Sequence, residues 1–160
     1  MNYGKKLNFG DTIGLIAPSG AMRTEGAIEY AVAETERMGF KVKLGESAGK
    51  KYGYLSGTDD IRARDINAMF ADDEVDAIFC IRGGYGAMRI LDQLDYELIR
   101  QHPKIFVGFS DRHVLRKKHR RETLAERFPP MLTKKKKKER RIMKKIFYFK
   151  EISVSLLTVR

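Results

Sequence analysis

The sequence predicts an α/β fold, in which a small parallel sheet is flanked by helices as a flavodoxin-like or Rossmann-like layer. Short apolar runs alternate with amphipathic stretches, and the links between them are brief. Glycines mark the turns, and all 14 of them lie at or before Gly108. Alternation of strands and helices with short links is typical of parallel sheets with helical crossovers.

The first two strands and the helix between them are predicted from residues 12–44. Residues 12–17 form an apolar run that ends at Pro18-Ser19-Gly20, which is typical of a buried strand entering a turn. Thr24 is placed to cap the following helix, and Gly39 is placed to end it. Residues 40–44 alternate between apolar and charged side chains, as a more exposed strand does.

A loop, a second helix and a central strand follow. The Gly-rich residues 45–57 are predicted to form the loop, and Thr58 or Asp59 to cap the helix, which carries apolar side chains such as Ile66. Residues 75–81 are almost wholly apolar and predict a strand buried on both faces.

Two helical stretches and a fourth strand complete this part of the chain. Residues 87–94 and 96–101 are predicted to be helical, Pro103 ends the second of them, and residues 104–108 form the strand. Binding sites in parallel sheets lie at the carboxyl ends of the strands. We therefore expect the loops that follow the first, third and fourth strands to form the functional site.

Gly108-Phe109-Ser110-Asp111 follows the fourth strand directly. A serine on such a strand-to-helix turn raises its hydroxyl above the sheet, as in the Gly-x-Ser-x-Gly nucleophile elbow, although position 112 is Arg here. The backbone N–H of Asp111 would then stabilise the oxyanion that forms when Ser110 attacks a carbonyl. The alternative is that Ser110 only caps the next helix.

Arg82-Gly83-Gly84-Tyr85-Gly86 places three glycines at the end of the third strand. Glycines allow positive φ and a close approach of the backbone to a ligand. The free N–H groups of this loop would bind a phosphate or carboxylate, or supply a second oxyanion donor. The motif matches no nucleotide-binding pattern, so it does not by itself predict a nucleotide site. Two alternatives stay open: a tight turn whose glycines give clearance, and a domain that binds a small ligand through this loop.

Four segments together resemble the LD-carboxypeptidases, a serine peptidase family that includes the microcin-resistance carboxypeptidases. They are residues 14–20, 55–65, 81–86 and 103–111, in the order and spacing of that family. The resemblance covers nearly all of residues 8–111. It implies hydrolysis of the bond between an L- and a D-residue in murein tetrapeptides during cell-wall recycling, or of related peptide-nucleotide amides. It implies no metal and no organic cofactor.

The resemblance also assigns roles to residues at the expected site. Ser110 corresponds to the nucleophile, and the Glu and His that complete the family's triad belong to a second, C-terminal domain. The oxyanion hole would use the backbone N–H groups of Gly84 and Asp111, and the candidate substrate-loop contacts are Ser19, Gly83 and Tyr85. The substrate partner would be a small muropeptide, and a family-like dimer is left open.

The charge divides the chain into two unlike parts. Residues 1–111 hold 14 basic and 17 acidic side chains, whereas residues 112–160 hold 18 basic and 4 acidic side chains and no glycine. We expect an α/β peptidase domain over 1–111 and a basic, partly helical or disordered segment over 112–160. The family resemblance also stops at Asp111, and a shifted reading frame is our hypothesis for this break. Residues 146–159 are β-prone and are predicted to add a strand.

We expect the chain to be a truncated enzyme that is inactive alone, because an unassisted serine hydroxyl is a poor nucleophile. The sequence places none of His102, His113 and His119 as its base. The alternative function is non-enzymatic binding of nucleic acid or another polyanion through the basic segment. A single cysteine, Cys80, excludes an internal disulfide framework. No apolar run approaches the roughly 18 residues of a membrane span, so we expect a soluble, cytoplasmic protein without a signal peptide.

Overall fold

The computed structural model describes residues 4–108 and the backbone of residues 154–156. Within these residues the strands are β1 (Thr12–Ile16), β2 (Lys41–Leu44), β3 (Ala77–Cys80), β4 (Ile105–Val107) and β5 (Val154–Leu156). The α-helices are α1 (Ala27–Arg37), α2 (Asp59–Ala71) and α3 (Tyr96–Gln101), and two 3₁₀ helices span Glu46–Gly49 and Ala87–Gln93.

The first four strands form a parallel sheet in the order β2-β1-β3-β4, so the predicted α/β fold is confirmed. Ile13 of β1 lies opposite Val42 of β2 on one side and Ala77 of β3 on the other. The chain therefore places β2 on one side of β1, and then β3 and β4 on the other side. The switch in direction lies between β1 and β3, and ligands of such sheets bind beyond the carboxyl ends of the strands at this point.

The fifth strand, β5, pairs antiparallel with β4, with Ser155 opposite Phe106. It lies within the β-prone residues 146–159, so the prediction of an added strand there is confirmed. Antiparallel pairing covers the backbone groups that β4 would otherwise present at an open edge of the sheet.

Both faces of the sheet are covered by apolar side chains, as expected for parallel strands. Leu15 and Phe79 pack on one face with Ala31 of α1, and Phe106 packs on the other face with Phe70 of α2. The Phe70 and Phe106 rings are stacked, with centroids 6.1 Å apart. Among the helices that the structure describes, none has the length and apolarity needed to cross a membrane.

One local prediction differs from the structure. Thr24 does not cap α1: the N-cap residue is Gly26, with φ of 73°, and Thr24 contributes only its carbonyl, which accepts the N–H of Ala27. Residues 87–93 form a 3₁₀ helix, so the helical stretch predicted over residues 87–94 is confirmed. Thr58 is the N-cap residue of α2, and Gly39 follows α1 with φ of 91°, so these two boundaries are confirmed.

Candidate functional site

The loops that follow β1 and β3 meet at Gly20. Gly20 forms an antiparallel bridge with Leu55, and the N–H of Ala21 donates to the carbonyl of Tyr54 at 2.9 Å. A Cβ on Gly20 would lie 3.3 Å from the Gly83 carbonyl oxygen and 3.4 Å from the Arg82 guanidinium carbon. Three of the four segments that carry the family resemblance therefore converge at the carboxyl edge of the sheet.

The loop after β3 passes so close to neighbouring side chains that two of its positions leave no room for a Cβ. Gly84 has φ of 132°, and a Cβ there would lie 2.5 Å from the Tyr54 hydroxyl oxygen. Gly86 has φ of 126°, and a Cβ there would lie 2.5 Å from a methyl carbon of Leu55. These contacts support the interpretation of a tight turn. They are also compatible with an oxyanion role for Gly84, which stays a prediction because it depends on residues outside the described part.

The candidate substrate-loop residues differ in exposure. Tyr85 is 66% exposed, whereas Gly83 is buried. Ser19 is 2% exposed, and its carbonyl accepts the N–H of Ser56 at 3.0 Å. Tyr85 therefore has a side chain accessible for a ligand, while Ser19 and Gly83 would contribute mainly through their backbone.

A buried arginine, Arg62 of α2, ties the loops after β1 and β3 together. Its Nη1 donates to the carbonyl of Pro18 at 2.6 Å and to that of Gly86 at 2.9 Å. Its Nη2 pairs with Asp59, which also binds Arg89 at 2.8 Å. Burial lowers the pKa of Arg62, and the neighbouring Asp59 carboxylate opposes that shift. Arg62 is a positioning residue, because it holds both loops through their backbone.

The role of Arg62 is not predicted from the sequence, although the sequence contains one signal of it. Positions 62, 66, 69 and 70 share one face of α2, and the other three carry Ile66, Met69 and Phe70. A charged residue on an otherwise apolar face needs buried partners. The sequence could not name those partners, because they are backbone carbonyls 44 and 24 residues away.

A second network supports the loop after β1. The Ser47 hydroxyl accepts the N–H of Ala17 at 3.0 Å. The Asp65 carboxylate accepts the N–H groups of Glu46 at 3.1 Å and Ser47 at 2.7 Å. A Cβ on Gly45 would lie 2.5 Å from an Asp65 oxygen, so glycine is needed for this close approach. Helix α2 therefore holds the loop after β1 through both Arg62 and Asp65.

Gly108 ends the described part of the loop after β4. A Cβ there would lie 3.3 Å from the Cys80 sulfur, so the absence of a side chain lets β3 and β4 end close together. Burial raises the pKa of the Cys80 thiol well above its ordinary value, which excludes it as a thiolate nucleophile. Ser110 and Asp111, the predicted nucleophile and oxyanion residue, lie outside the described residues.

Of the three histidines considered as the base, one lies within the described residues and two lie outside them. His102 follows α3 and precedes β4, so it lies at the amino edge of the sheet, opposite the loops. Its Nδ1 lies 3.5 Å from Asp73, which follows α2 at that edge. His113 and His119 lie outside the described residues. Within the described part of the chain, His, Cys, Asp and Glu side chains form no group of three or more that could hold a metal ion.

These features define an α/β domain with a loop-built site at the topological switch point of a parallel sheet. The model of the LD-carboxypeptidase N-terminal domain matches residues 13–125, and the chain belongs to this family. The match extends past Asp111, where the resemblance noted in the sequence ends, to residue 125.

Curated relatives of this chain are named as carboxypeptidases, and one is named as a microcin C7 self-immunity protein. The chain is 46% identical over 112 residues to a probable murein peptide carboxypeptidase of Bacillus subtilis, covering 69% of this chain and 35% of the relative. It is 34% identical over 122 residues to the murein tetrapeptide carboxypeptidase of Pseudomonas aeruginosa, covering 76% of this chain and 39% of the relative. The chain thus spans little more than a third of the length of these relatives.

Solved structures agree with the fold. The microcin C7 self-immunity protein MccF, in complex with aspartyl sulfamoyl adenosine, superimposes with a TM-score of 0.66 at 32% identity. That superposition covers 69% of this chain and 34% of MccF. A muramoyltetrapeptide carboxypeptidase from Oxalobacter formigenes superimposes with a TM-score of 0.57 at 28% identity, covering 62% of this chain and 33% of the other.

Proposed function

We propose that this chain carries the nucleophile and oxyanion half of a serine LD-carboxypeptidase site, with Ser110 as the attacking residue. The observation that carries the proposal is the convergence of the loops after β1 and β3 at the carboxyl edge of the sheet. Family membership supports it, and Ser110 follows Gly108 of that same edge by two residues in the sequence. The backbone N–H groups of Gly84 and Asp111 would stabilise the oxyanion.

The proposed substrate is a murein tetrapeptide, cleaved between its L- and D-residues during cytoplasmic cell-wall recycling. The names of the Bacillus and Pseudomonas relatives support this substrate class. The exposed Tyr85, with the backbone of Ser19 and Gly83, would contact the peptide. Water is the second reactant, because it releases the acyl group from Ser110 after the D-amino acid has left.

We further propose that residues 1–160 alone hydrolyse the peptide at a negligible rate. A serine needs a base within hydrogen-bond reach, and His102, at the amino edge of the sheet, is too far from the loop after β4. The family resemblance assigns the Glu and His to a C-terminal domain, whereas the family match of this chain is to the N-terminal domain and ends at residue 125. Loss of triad members typically lowers the rate by about 10⁴- to 10⁶-fold.

A chimera tests the proposal. Residues 1–111 are joined to the C-terminal two thirds of the Bacillus relative, and release of D-alanine from a murein tetrapeptide is measured. We expect the 160-residue chain to be inactive, the chimera to be active, and Ser110→Ala to abolish that activity. Thr12→Ala, which removes a hydroxyl at the amino edge of the sheet, is the matched control and should retain it. A chimera whose activity survives Ser110→Ala would disprove the role of Ser110.

The excess charge of residues 112–160 favours a second candidate, polyanion binding separate from residues 1–111. These residues carry 18 basic and 4 acidic side chains. Binding through lysine and arginine contacts to phosphates releases counterions, so affinity for nucleic acid falls steeply with salt. Filter binding at low and moderate salt distinguishes the possibilities, because only a selected function would keep tight and sequence-selective binding at moderate salt.

A further inference from the structure

Arg82 brings a positive charge to the point where the loops after β1 and β3 meet. Its guanidinium carbon lies 5.7 Å from the centroid of the Tyr54 ring, in a cation–π contact. The same carbon and the Gly83 carbonyl oxygen lie 3.4 and 3.3 Å from the position that a Cβ on Gly20 would take. The guanidinium therefore lies beside the Gly83-Gly84 turn.

The charge of Arg82 is not neutralised within residues 4–108. No carboxylate of that range lies within ion-pair distance of its guanidinium, whereas Arg62 and Arg89 share Asp59, and Arg64 pairs with Glu46. The side chain is half-buried, so water screens it less than a surface charge. A cation of this kind at the switch point of the sheet attracts an anionic group of a ligand.

We propose that Arg82 binds the C-terminal carboxylate of the peptide substrate; this inference rests on the proposed function and names the specificity-determining residue of that site. In a carboxypeptidase substrate, three covalent bonds separate the reacting carbonyl carbon from the terminal carboxylate carbon, a span of at most about 4 Å. The group that binds the carboxylate must therefore lie next to the oxyanion donors. Arg82 directly precedes the Gly83-Gly84 turn in the chain and lies beside it in space.

The chemistry of arginine fits this role. A guanidinium forms two parallel hydrogen bonds with a carboxylate, and a cation–π contact with an aromatic ring restricts its position. Tyr54 supplies that ring here. A peptide that continues past the scissile bond, or ends in an amide, offers no carboxylate to Arg82. Arg82 thus selects for removal of a single terminal residue over cleavage within a longer peptide.

The test measures binding, which is possible because the 160-residue chain is expected not to consume the peptide. The ¹⁵N-labelled chain is titrated by NMR with a murein tetrapeptide that ends in free D-alanine, and with the same peptide as its C-terminal amide. We expect the free acid to bind about 10- to 100-fold more tightly, as for a charge-assisted bidentate contact. Arg82→Met should reduce this ratio to near one, and Arg82→Lys should preserve part of it.

Arg64→Met is the matched control, because it removes an arginine from the exposed face of α2 and should leave the ratio unchanged. Equal binding of acid and amide by the unmodified chain, binding of neither, or a ratio that survives Arg82→Met would overturn the inference. The NMR spectrum of each variant also reports its folding. Failure here is separate from failure of the proposed function, which depends on Ser110-dependent release of D-alanine by the chimera.

Discussion

Replacing Arg62 with methionine should destabilise the domain far more than any exposed arginine substitution. Arg62 is fully buried, and the change removes hydrogen bonds to the carbonyls of Pro18 and Gly86. The Gly86 carbonyl keeps the N–H of Arg89 as a second donor. Each hydrogen bond lost from a charged donor costs about 1.5–3 kcal/mol. Asp59 loses one partner but keeps Arg89, so it adds little to the cost. We expect the free energy of unfolding to fall by about 3–5 kcal/mol, because two hydrogen bonds from a charged donor are lost.

Urea denaturation followed by far-ultraviolet circular dichroism measures this loss. Arg64→Met is the control on the same helix, because the Arg64 side chain is 63% exposed and, within residues 4–108, forms an ion pair with Glu46 alone. Exposed ion pairs contribute up to about 1 kcal/mol. The comparison assumes that the free energy of unfolding depends on urea concentration equally in all variants, and the slope of each transition checks this. Equal midpoints for Arg62→Met and Arg64→Met would refute the assignment of Arg62 as the tie between the two loops.

Three further substitutions test other parts of the site by the same denaturation assay. Gly84→Ala should lower the free energy of unfolding by about 1–3 kcal/mol, because φ of 132° strains a residue with a side chain and the new methyl group would meet Tyr54. Gly49→Ala is its control: the new methyl group would lie in open space, so the cost should be less than about 1 kcal/mol. Asp65→Ala should cost about 2–4 kcal/mol through the freed N–H groups of Glu46 and Ser47, and the exposed Asp60→Ala much less. Above the ordinary thiol pKa of 9.0, unfolded chains lose the Cys80 proton while folded chains keep it, so stability falls with rising pH. Cys80→Ala should remove up to about 1.4 kcal/mol per pH unit from that alkaline slope, and an unchanged slope would contradict burial of the thiol.

The parts of the fold that depend on local pattern could be predicted from the sequence. Residues 12–17 and 75–81 were predicted as strands because both faces are apolar, and β1 and β3 lie within them. The helix predicted over residues 96–101 is α3 as observed. The cap of α1 was wrong because hydroxyl preference favoured Thr24, whereas the chain enters the helix through the left-handed backbone of Gly26.

The parts that depend on distant contacts could not be predicted. The roles of Arg62 and Asp65 require knowledge of which backbone groups α2 meets, and periodicity supplies only the face on which they lie. The close approach of Gly84 to Tyr54 joins residues 30 positions apart, so the sequence could place the glycine in a turn but not name its neighbour. The pairing of β5 with β4 joins residues that are still further apart along the chain.

The anchoring of two loops on one helix has a dynamic consequence. Because α2 holds Pro18 and Gly86 through one guanidinium, a local opening of that helix releases both loops in the same event. Amide hydrogens of the two segments therefore belong to one cooperative opening unit and exchange with solvent at a shared free energy. We therefore expect the two loops to lose their order together when α2 opens.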